Sequence, residues 1–202
     1  MIIGIVGMIG SGKSTFAQQL NFERFSGRAE ICEADSIGHE LLQQENIQKL
    51  LRNEFGKDIF SLSGEIDRNY LRKKVCAESG ALSRLEAILH PPLKQLLFQK
   101  IETYRGTSNV LFVVAALPIT LEMFEHCDEV FSLSVTKEEA WKRIQKRSPH
   151  MFRNEFDVFW KRQEGEYGYS KKDKYALPYY QGKYTKMIIY NKKNSTPFKK
   201  TI

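Results

Sequence analysis

The chain has 202 residues and a net charge of +7, and its length suits one α/β domain with a small insertion. No apolar run approaches the roughly 20 residues of a membrane-spanning helix, and the first residues lack the charged region of a signal peptide, so no membrane association is expected. The three cysteines are widely spaced, which argues against a disulfide framework or a zinc site and predicts a cytoplasmic protein.

A phosphate-binding loop is predicted near the start of the chain. Residues 2–6 have the apolar pattern of a buried strand, residues 7–14 fit G-x-x-x-x-G-K-[ST], and a helix follows. Glycines let successive N–H groups point at phosphate oxygens, while Lys13 is expected to reach the β- and γ-phosphates and Ser14 to ligate Mg²⁺. The alternative is a strand–helix turn that binds no ligand. The residues expected to contact ATP are Gly7, Ile9, Gly10, Ser11, Gly12, Lys13, Ser14 and Thr15.

The second predicted strand, residues 29–33, leads to Asp35 and then to helical residues 36–55. In a doubly wound sheet this strand ends at the same edge as the phosphate loop, where ligands bind. A carboxylate at that edge is able to accept a proton from a sugar hydroxyl or to hold a water on Mg²⁺. The alternative is that Asp35 only caps the following helix.

Residues 57–105 carry mostly helix signals and are too long for a simple crossover between two strands, so they predict an inserted subdomain. Asp67 is expected to cap one of its helices. A second helix is predicted to be interrupted at His90-Pro91-Pro92. His90 is able to contact a substrate there, although such a residue more often marks only a helix boundary.

Further strands are predicted at 109–115, 129–135 and 186–191, and strands that alternate with helices indicate a parallel sheet of five strands in an α/β fold. The third strand ends in Ala115-Ala116, where many phosphate-loop proteins place an aspartate that holds Mg²⁺ through water. The sequence also lacks an N-K-x-D motif that reads guanine. These two features disfavour a GTPase or a motor ATPase.

The charge is concentrated in the last third of the chain. Residues 1–134 carry 14 Lys and Arg against 17 Asp and Glu, a net of −3, whereas residues 135–202 carry 17 against 7, a net of +10. A cationic lid over a polyphosphate substrate is favoured here over a nucleic-acid face, so no nucleic-acid partner is expected. Arg143 and Arg147 lie four apart on the helix predicted at 137–147, either to clamp a phosphoryl group or to form a solvated face.

Several motifs occur in a fixed order over residues 2–147. They are Gly7–Thr15, Glu33-Ala34-Asp35 with His39, Gly64–Arg68, Leu85–Pro91, Pro118–Glu122, and Arg143 with Arg147. The set resembles the motifs G-G-I-G-S-G-K-S-T, D-A-D-x-I-x-H-x-L-L, G-x-I-D-R, L-E-x-I-x-H-P, P-L-L-F-E and R-x-x-x-R of the dephospho-coenzyme A kinase family.

The resemblance implies ATP-dependent phosphorylation, with Mg²⁺, of the ribose 3′-hydroxyl of dephospho-coenzyme A, the last step of coenzyme A biosynthesis. It also implies a single P-loop kinase domain over 1–202, with a three-layer α/β/α core, a helical substrate-binding subdomain over 57–105 and a lid over 148–165. Asp35 matches the family's proposed catalytic base, and His90 falls in its substrate-binding subdomain. The family's catalytic phosphate-binding cations correspond to Lys13, Arg143 and Arg147. A monomer with a small-molecule substrate is expected.

The chain departs from the family pattern at three places near the site. Met8 stands in a glycine position of the phosphate-loop motif. Glu33 replaces the first aspartate of D-A-D, and Phe159 stands where the family has an arginine four residues before the glutamine that corresponds to Gln163, although Arg162 lies nearby. Two other functions stay open: a nucleoside or nucleotide kinase on the same scaffold, and a nucleotide-binding regulatory protein that has lost catalysis.

Overall fold

The computed structural model describes residues 1–167 and 187–191. Most of the Tyr- and Lys-rich stretch 166–185 lies outside the described residues. In chain order the elements are β1 (Ile2–Gly7), α1 (Lys13–Phe25), β2 (Glu30–Glu33), α2 (Ala34–Leu41), α3 (Glu45–Phe55), α4 (Arg68–Ala77), α5 (Ala81–Tyr104), β3 (Leu111–Ala115), β4 (Glu129–Leu133), α6 (Lys137–Arg147), α7 (Arg153–Tyr167) and β5 (Met187–Asn191). Among the described helices, none is both long and apolar enough to cross a membrane.

The strands form one sheet in the order β2-β3-β1-β4-β5. β1 lies between β3 and β4 and is parallel to both, and β2 is parallel to β3. The continuous apolar runs of β1 and β3 are buried along their whole length, as expected for parallel strands covered on both faces. The carboxyl ends of these four strands therefore meet at one edge of the sheet, and the phosphate loop follows β1 at that edge.

The prediction that all five strands are parallel is wrong for β5, which is antiparallel to β4, with Met187 opposite Leu133. The C-terminal half of α7 contacts Ile9 and Thr120, which belong to the loops that follow β1 and β3. α7 therefore reaches the carboxyl edge of the sheet, and the residues that connect it to β5, 168–186, lie outside the described residues.

One face of the sheet packs against α1. The shared core consists of alternate strand residues, the apolar side of that helix and one residue just before β2: Ile3, Ile5, Phe112, Val114, Phe131 and Leu133 with Ala17 and Leu20 of α1 and Ala29. Phe16 contacts Phe131 with ring centroids 5.6 Å apart, and Phe25 contacts Phe112 edge to face at 5.4 Å. Burying each large side chain contributes roughly 1.5–3 kcal/mol. This core fixes α1 against β1 and so holds both ends of the phosphate loop.

Residues Ala34–Leu97 form a second compact unit, made of α2, α3, α4 and the first part of α5. This helical unit starts earlier and ends earlier than the predicted segment 57–105. Its interior contains Leu41, Ile47, Leu51, Phe55, Ile59, Leu71 and Val75. Asp67 caps α4, as predicted, because its side chain accepts hydrogen bonds from the backbone N–H groups of Asn69 and Tyr70.

The predicted interruption of the helix at Pro91 and Pro92 is wrong, because α5 is continuous from Ala81 to Tyr104. A proline inside a helix removes one hydrogen bond and costs about 3 kcal/mol or more. The helix also buries Leu93, Leu97 and Ile101 at four-residue spacing. Burial of three such side chains contributes a free energy of the same order as the cost of the two prolines.

Candidate active site

The phosphate loop adopts a backbone that only glycine tolerates. Gly10 and Gly12 have φ values of +77° and +90°. A Cβ atom on Gly10 would lie 2.8 Å from both the Cα and the carbonyl oxygen of Ala140, and one on Gly7 would lie 2.7 Å from the carbonyl oxygen of Leu133. Ser11 N–H donates to the carbonyl of Met8 across the turn. The loop is thus a tight curve clamped between β4 and α6.

The features of this loop fit a polyphosphate. The N-cap of α1 is Gly12, so no side chain caps the N–H groups of the first helical turn, and the positive end of the helix dipole adds to them. The Ser11 hydroxyl is buried and has no hydrogen-bond partner among the described residues. An unsatisfied buried polar group costs about 1–3 kcal/mol, which an oxygen of a bound phosphate is able to offset.

Lys13 is held at the loop that it is expected to serve. Its Nζ donates to the carbonyl oxygens of Gly7 at 2.8 Å and Met8 at 3.1 Å. The ammonium group therefore lies beside the first turn of the motif, at the entrance to α1. Ser14 occupies the first turn of α1 and is half-buried, which suits the predicted contact with a metal ion.

Arg143 lies on the loop and not on a helix face directed only toward solvent. Its Nη1 donates to the carbonyl oxygens of Gly10 at 3.2 Å and Ser11 at 3.3 Å, and its Nη2 pairs with Glu139 at 2.5 Å. The side chain thus contacts the phosphate loop, and its role as a phosphoryl clamp stays a prediction. Arg147 is the last residue of α6, one turn further on, and is exposed; its role stays a prediction.

The last turns of α7 contact two loops at the same edge of the sheet. Gln163 Oε1 accepts the backbone N–H of Ile9 at 2.6 Å. The carboxylate of Glu166, which is buried, accepts the N–H groups of Ile119 and Thr120 at 2.7 and 3.0 Å and the hydroxyl of Thr120. Arg162 donates to Thr120 Oγ1 at 3.1 Å and pairs with Glu166 at 3.4 Å, so its guanidinium is engaged within α7 and the loop after β3.

Sequence reasoning assigned no role to Gln163 or Glu166. The family pattern pointed to Gln163 only as a matching position, and Glu166 lies in no motif. The contacts that they make join residues 154 and 47 positions apart, which local patterns do not reveal.

Asp35 and His90 belong to the helical unit, and their roles stay predictions. α2 begins at Ala34, so Asp35 is an exposed residue of the first helical turn and not the N-cap residue of the alternative interpretation. His90 is half-buried in α5.

His39 lies one turn after Asp35 on α2 and contacts α4. Arg68 Nη2 lies 2.6 Å from His39 Nε2, so the guanidinium donates to a neutral imidazole. Burial and the positive charge of Arg68 lower the pKa of His39, whereas the carboxylate of Asp35 opposes this shift. The positive charge of Arg68 is thus held close to the helix that carries Asp35.

A glycine-rich loop between β1 and α1 of a parallel sheet, with a lysine and an arginine at its carbonyl groups, defines a P-loop phosphotransferase. Comparison with known proteins identifies the family. Residues 1–166 match the family model described as dephospho-CoA kinase, and the chain belongs to that family.

Curated relatives carry the same description. The dephospho-CoA kinase of Dehalococcoides mccartyi is 31% identical over 147 residues, covering 72% of each chain. That of Geobacter sulfurreducens is 34% identical over 148 residues, 72% of this chain and 73% of the relative. The match to the Wolinella succinogenes enzyme is 39% identical over 111 residues but covers only 52% of that protein.

A solved structure shares the fold. The crystal structure of TT1252 from Thermus thermophilus superposes with a TM-score of 0.60 at 28% identity, over 82% of this chain and 81% of that one.

Proposed function

We propose that this protein transfers the γ-phosphoryl group of ATP to the ribose 3′-hydroxyl of dephospho-coenzyme A and so completes coenzyme A. The observation that carries the proposal is the phosphate loop, with Lys13 and Arg143 both bound to its carbonyl oxygens, in a chain of the dephospho-CoA kinase family. Phosphoryl transfer depends mainly on the positions of the reacting groups and on cations near the transferred group. This loop provides a rigid backbone and has two cations in contact with it.

The loop and the start of α1 would hold the nucleotide. ATP supplies the phosphoryl group, and Mg²⁺ offsets the negative charge of its phosphates. The residues that bind the nucleotide are Gly7, Ile9, Gly10, Ser11, Gly12, Lys13, Ser14 and Thr15. Lys13 would donate to the β- and γ-phosphates in place of part of its present bonding to Gly7 and Met8, and Ser14 would ligate the metal ion.

Asp35 would orient the 3′-hydroxyl and accept its proton. As the hydroxyl oxygen bonds to the γ-phosphorus, the bond from that phosphorus to the bridging oxygen breaks and ADP leaves. The assignment is supported by chain position, because Asp35 follows by two residues the end of β2, whose last residue, Glu33, pairs with Val114 near the carboxyl end of β3. It is also supported by the exposure of its side chain.

Arg143 and Arg147 would stabilise the charge on the phosphoryl group during transfer. Arg143 already lies at Gly10 and Ser11, and Arg147 is four residues later on the same helix. A guanidinium is suited to this role because it presents several donors in one plane to phosphate oxygens.

The remaining organisation is part of the same proposal. The helical segment 57–105 would bind dephospho-coenzyme A, with His90 among the contacting residues, and residues 148–165 would form a lid on a three-layer core. The protein would act as a cytoplasmic monomer without a nucleic-acid partner.

An acceptor panel tests the proposed substrate. We would measure ADP release with Mg-ATP and, in turn, dephospho-coenzyme A, adenosine, AMP and pantetheine. Turnover with dephospho-coenzyme A alone is expected. Turnover with adenosine or AMP instead would identify a nucleoside or nucleotide kinase, and bound ATP without turnover on any acceptor would indicate a regulatory protein.

The Asp35→Asn variant tests the proposed base. Removal of a general base typically lowers turnover by about 10²- to 10⁴-fold, while the affinity for ATP should be unchanged because Asp35 is assigned no contact with it. Glu40→Gln, at another exposed acid of α2, is the matched control and should retain the wild-type rate. Near-normal turnover by Asp35→Asn would remove the base assignment without affecting the proposed substrate.

A further inference from the structure

Side chains of two kinds contact the backbone of the phosphate loop among the described residues. Lys13 and Arg143 are cations that donate to loop carbonyl oxygens, whereas Gln163 is a neutral side chain whose oxygen accepts a loop N–H, that of Ile9. The two cations are also the groups that the proposed reaction directs toward phosphates. Because Gln163 is neutral, its hydrogen bond to the loop does not occupy a cation that the nucleotide requires.

The neutrality of Gln163 suits its place. A carboxylate would accept the same N–H but would set a negative charge beside a loop that receives a polyphosphate, and like charges at short range repel. An amide oxygen restrains the backbone without this penalty. Glutamine at this position therefore provides an acceptor for the loop N–H without repelling a bound polyphosphate.

The helix that carries Gln163 is itself fixed at the edge of the sheet. One turn further on, Glu166 binds the backbone of Ile119 and Thr120, and Arg162 closes this group of contacts. On the other side, Phe156 is fully buried and its ring centroid lies 5.2 Å from that of Trp141 on α6. The position of Gln163 is thus determined by packing on both sides and not by the loop alone.

We propose that Gln163 is a positioning residue for the nucleotide: by accepting the Ile9 N–H, it holds the first half of the phosphate loop in its binding conformation independently of the ligand. This inference deepens the proposed function and rests on it for the identity of the nucleotide. Gln163 itself touches no reacting atom in this assignment.

The test compares ligand affinities of the purified full chain by calorimetry, for ATP and for dephospho-coenzyme A separately. Gln163→Met keeps the length of the side chain and removes the acceptor. Because a half-buried N–H that loses its acceptor no longer restrains the loop, the Kd for ATP should rise about 5- to 20-fold, while the Kd for dephospho-coenzyme A should stay unchanged. Gln18→Met, the same substitution at an exposed residue of α1 to which no role is assigned, should alter neither affinity.

Gln163→Glu keeps an acceptor oxygen at this position and adds a negative charge. It tests the proposal even if the methionine variant fails to fold. This variant should keep the Ile9 amide protected from hydrogen exchange, yet its Kd for ATP should exceed that of the wild type at low salt and approach it at high salt, because salt screens the added repulsion. An unchanged Kd for ATP in Gln163→Met, or an equal loss of affinity for both ligands, would overturn the proposal.

The two hypotheses fail differently. ATP affinity is measured without an acceptor, so a wild-type protein that binds ATP but does not phosphorylate dephospho-coenzyme A would refute the proposed function and leave the role of Gln163 to be decided by the variants.

Discussion

Replacing Gly10 by alanine tests how tightly α6 clamps the phosphate loop. The new Cβ would lie 2.8 Å from the Cα and the carbonyl oxygen of Ala140 and 2.9 Å from its Cβ. Two of these three atoms are backbone, so they cannot turn away as a flexible side chain would. Overpacking of this kind costs about 1–3 kcal/mol, and the φ of +77° adds roughly 1–2 kcal/mol for a residue with a Cβ.

Gly27 is the matched control, because its φ is +73° but a Cβ there meets no atom within 4 Å. Gly27→Ala should therefore lower the free energy of unfolding by only about 1–2 kcal/mol, against about 2–5 kcal/mol for Gly10→Ala, both measured by urea unfolding. Relief of the clash requires α6 to move away and to take Arg143 from Gly10 and Ser11, so the Kd for ATP should also rise in Gly10→Ala alone. Equal stability and equal ATP affinity in the two variants would refute the reasoning.

Three further outcomes are expected. Arg143→Ala should weaken ATP binding about tenfold and should lower turnover further. Lys142→Ala should have values close to the wild type in the same assays. Equal values for the two variants would show that Arg143 has no role at the site. Glu166→Gln should lower the free energy of unfolding in urea by about 1–3 kcal/mol because a buried, fully bonded carboxylate is lost, and an unchanged midpoint would contradict this. Burial and Arg68 lower the pKa of His39, so as the pH falls His39 is protonated in the unfolded chain before it is protonated in the folded one. The contribution of His39 to stability is therefore full above pH 6.5 and decreases below it. In His39→Gln the urea midpoint should depend less on pH below pH 6.5. An unaltered slope would show that His39 does not cause this pH dependence.

The phosphate loop was predictable because its chemistry is local. The motif, the strand before it and the helix after it all lie within residues 2–25, and the structure has β1 and α1 at these places. The sequence predicted that the glycines let the loop curl, but the contact of Gly10 with Ala140 joins residues far apart in the chain and was not predictable. Spacing along α6 gave Arg143 a helix face and left open whether that face meets the loop or solvent.

The errors share a cause, which is that long-range packing overrode a local signal. Pro91 and Pro92 are strong local breakers, yet α5 continues through them because its buried side chains offset their cost. The direction of β5 is set by pairing with a strand far away in the chain, with Met187 opposite Leu133, and the alternation of strands and helices does not specify such pairing. Local sequence patterns do not predict contacts between residues that are far apart in the chain.

The account's central claim is that the chain phosphorylates the ribose 3′-oxygen of dephospho-coenzyme A at its phosphate loop. The most direct measurement is to incubate the wild type and Lys13→Ala with Mg-ATP and dephospho-coenzyme A and to locate the new phosphate by mass spectrometry and phosphorus NMR. We predict one added phosphate, on the 3′-oxygen, with the wild type and a loss of product with Lys13→Ala. A phosphate on another hydroxyl, no product with the wild type, or the same product yield with Lys13→Ala would contradict the account.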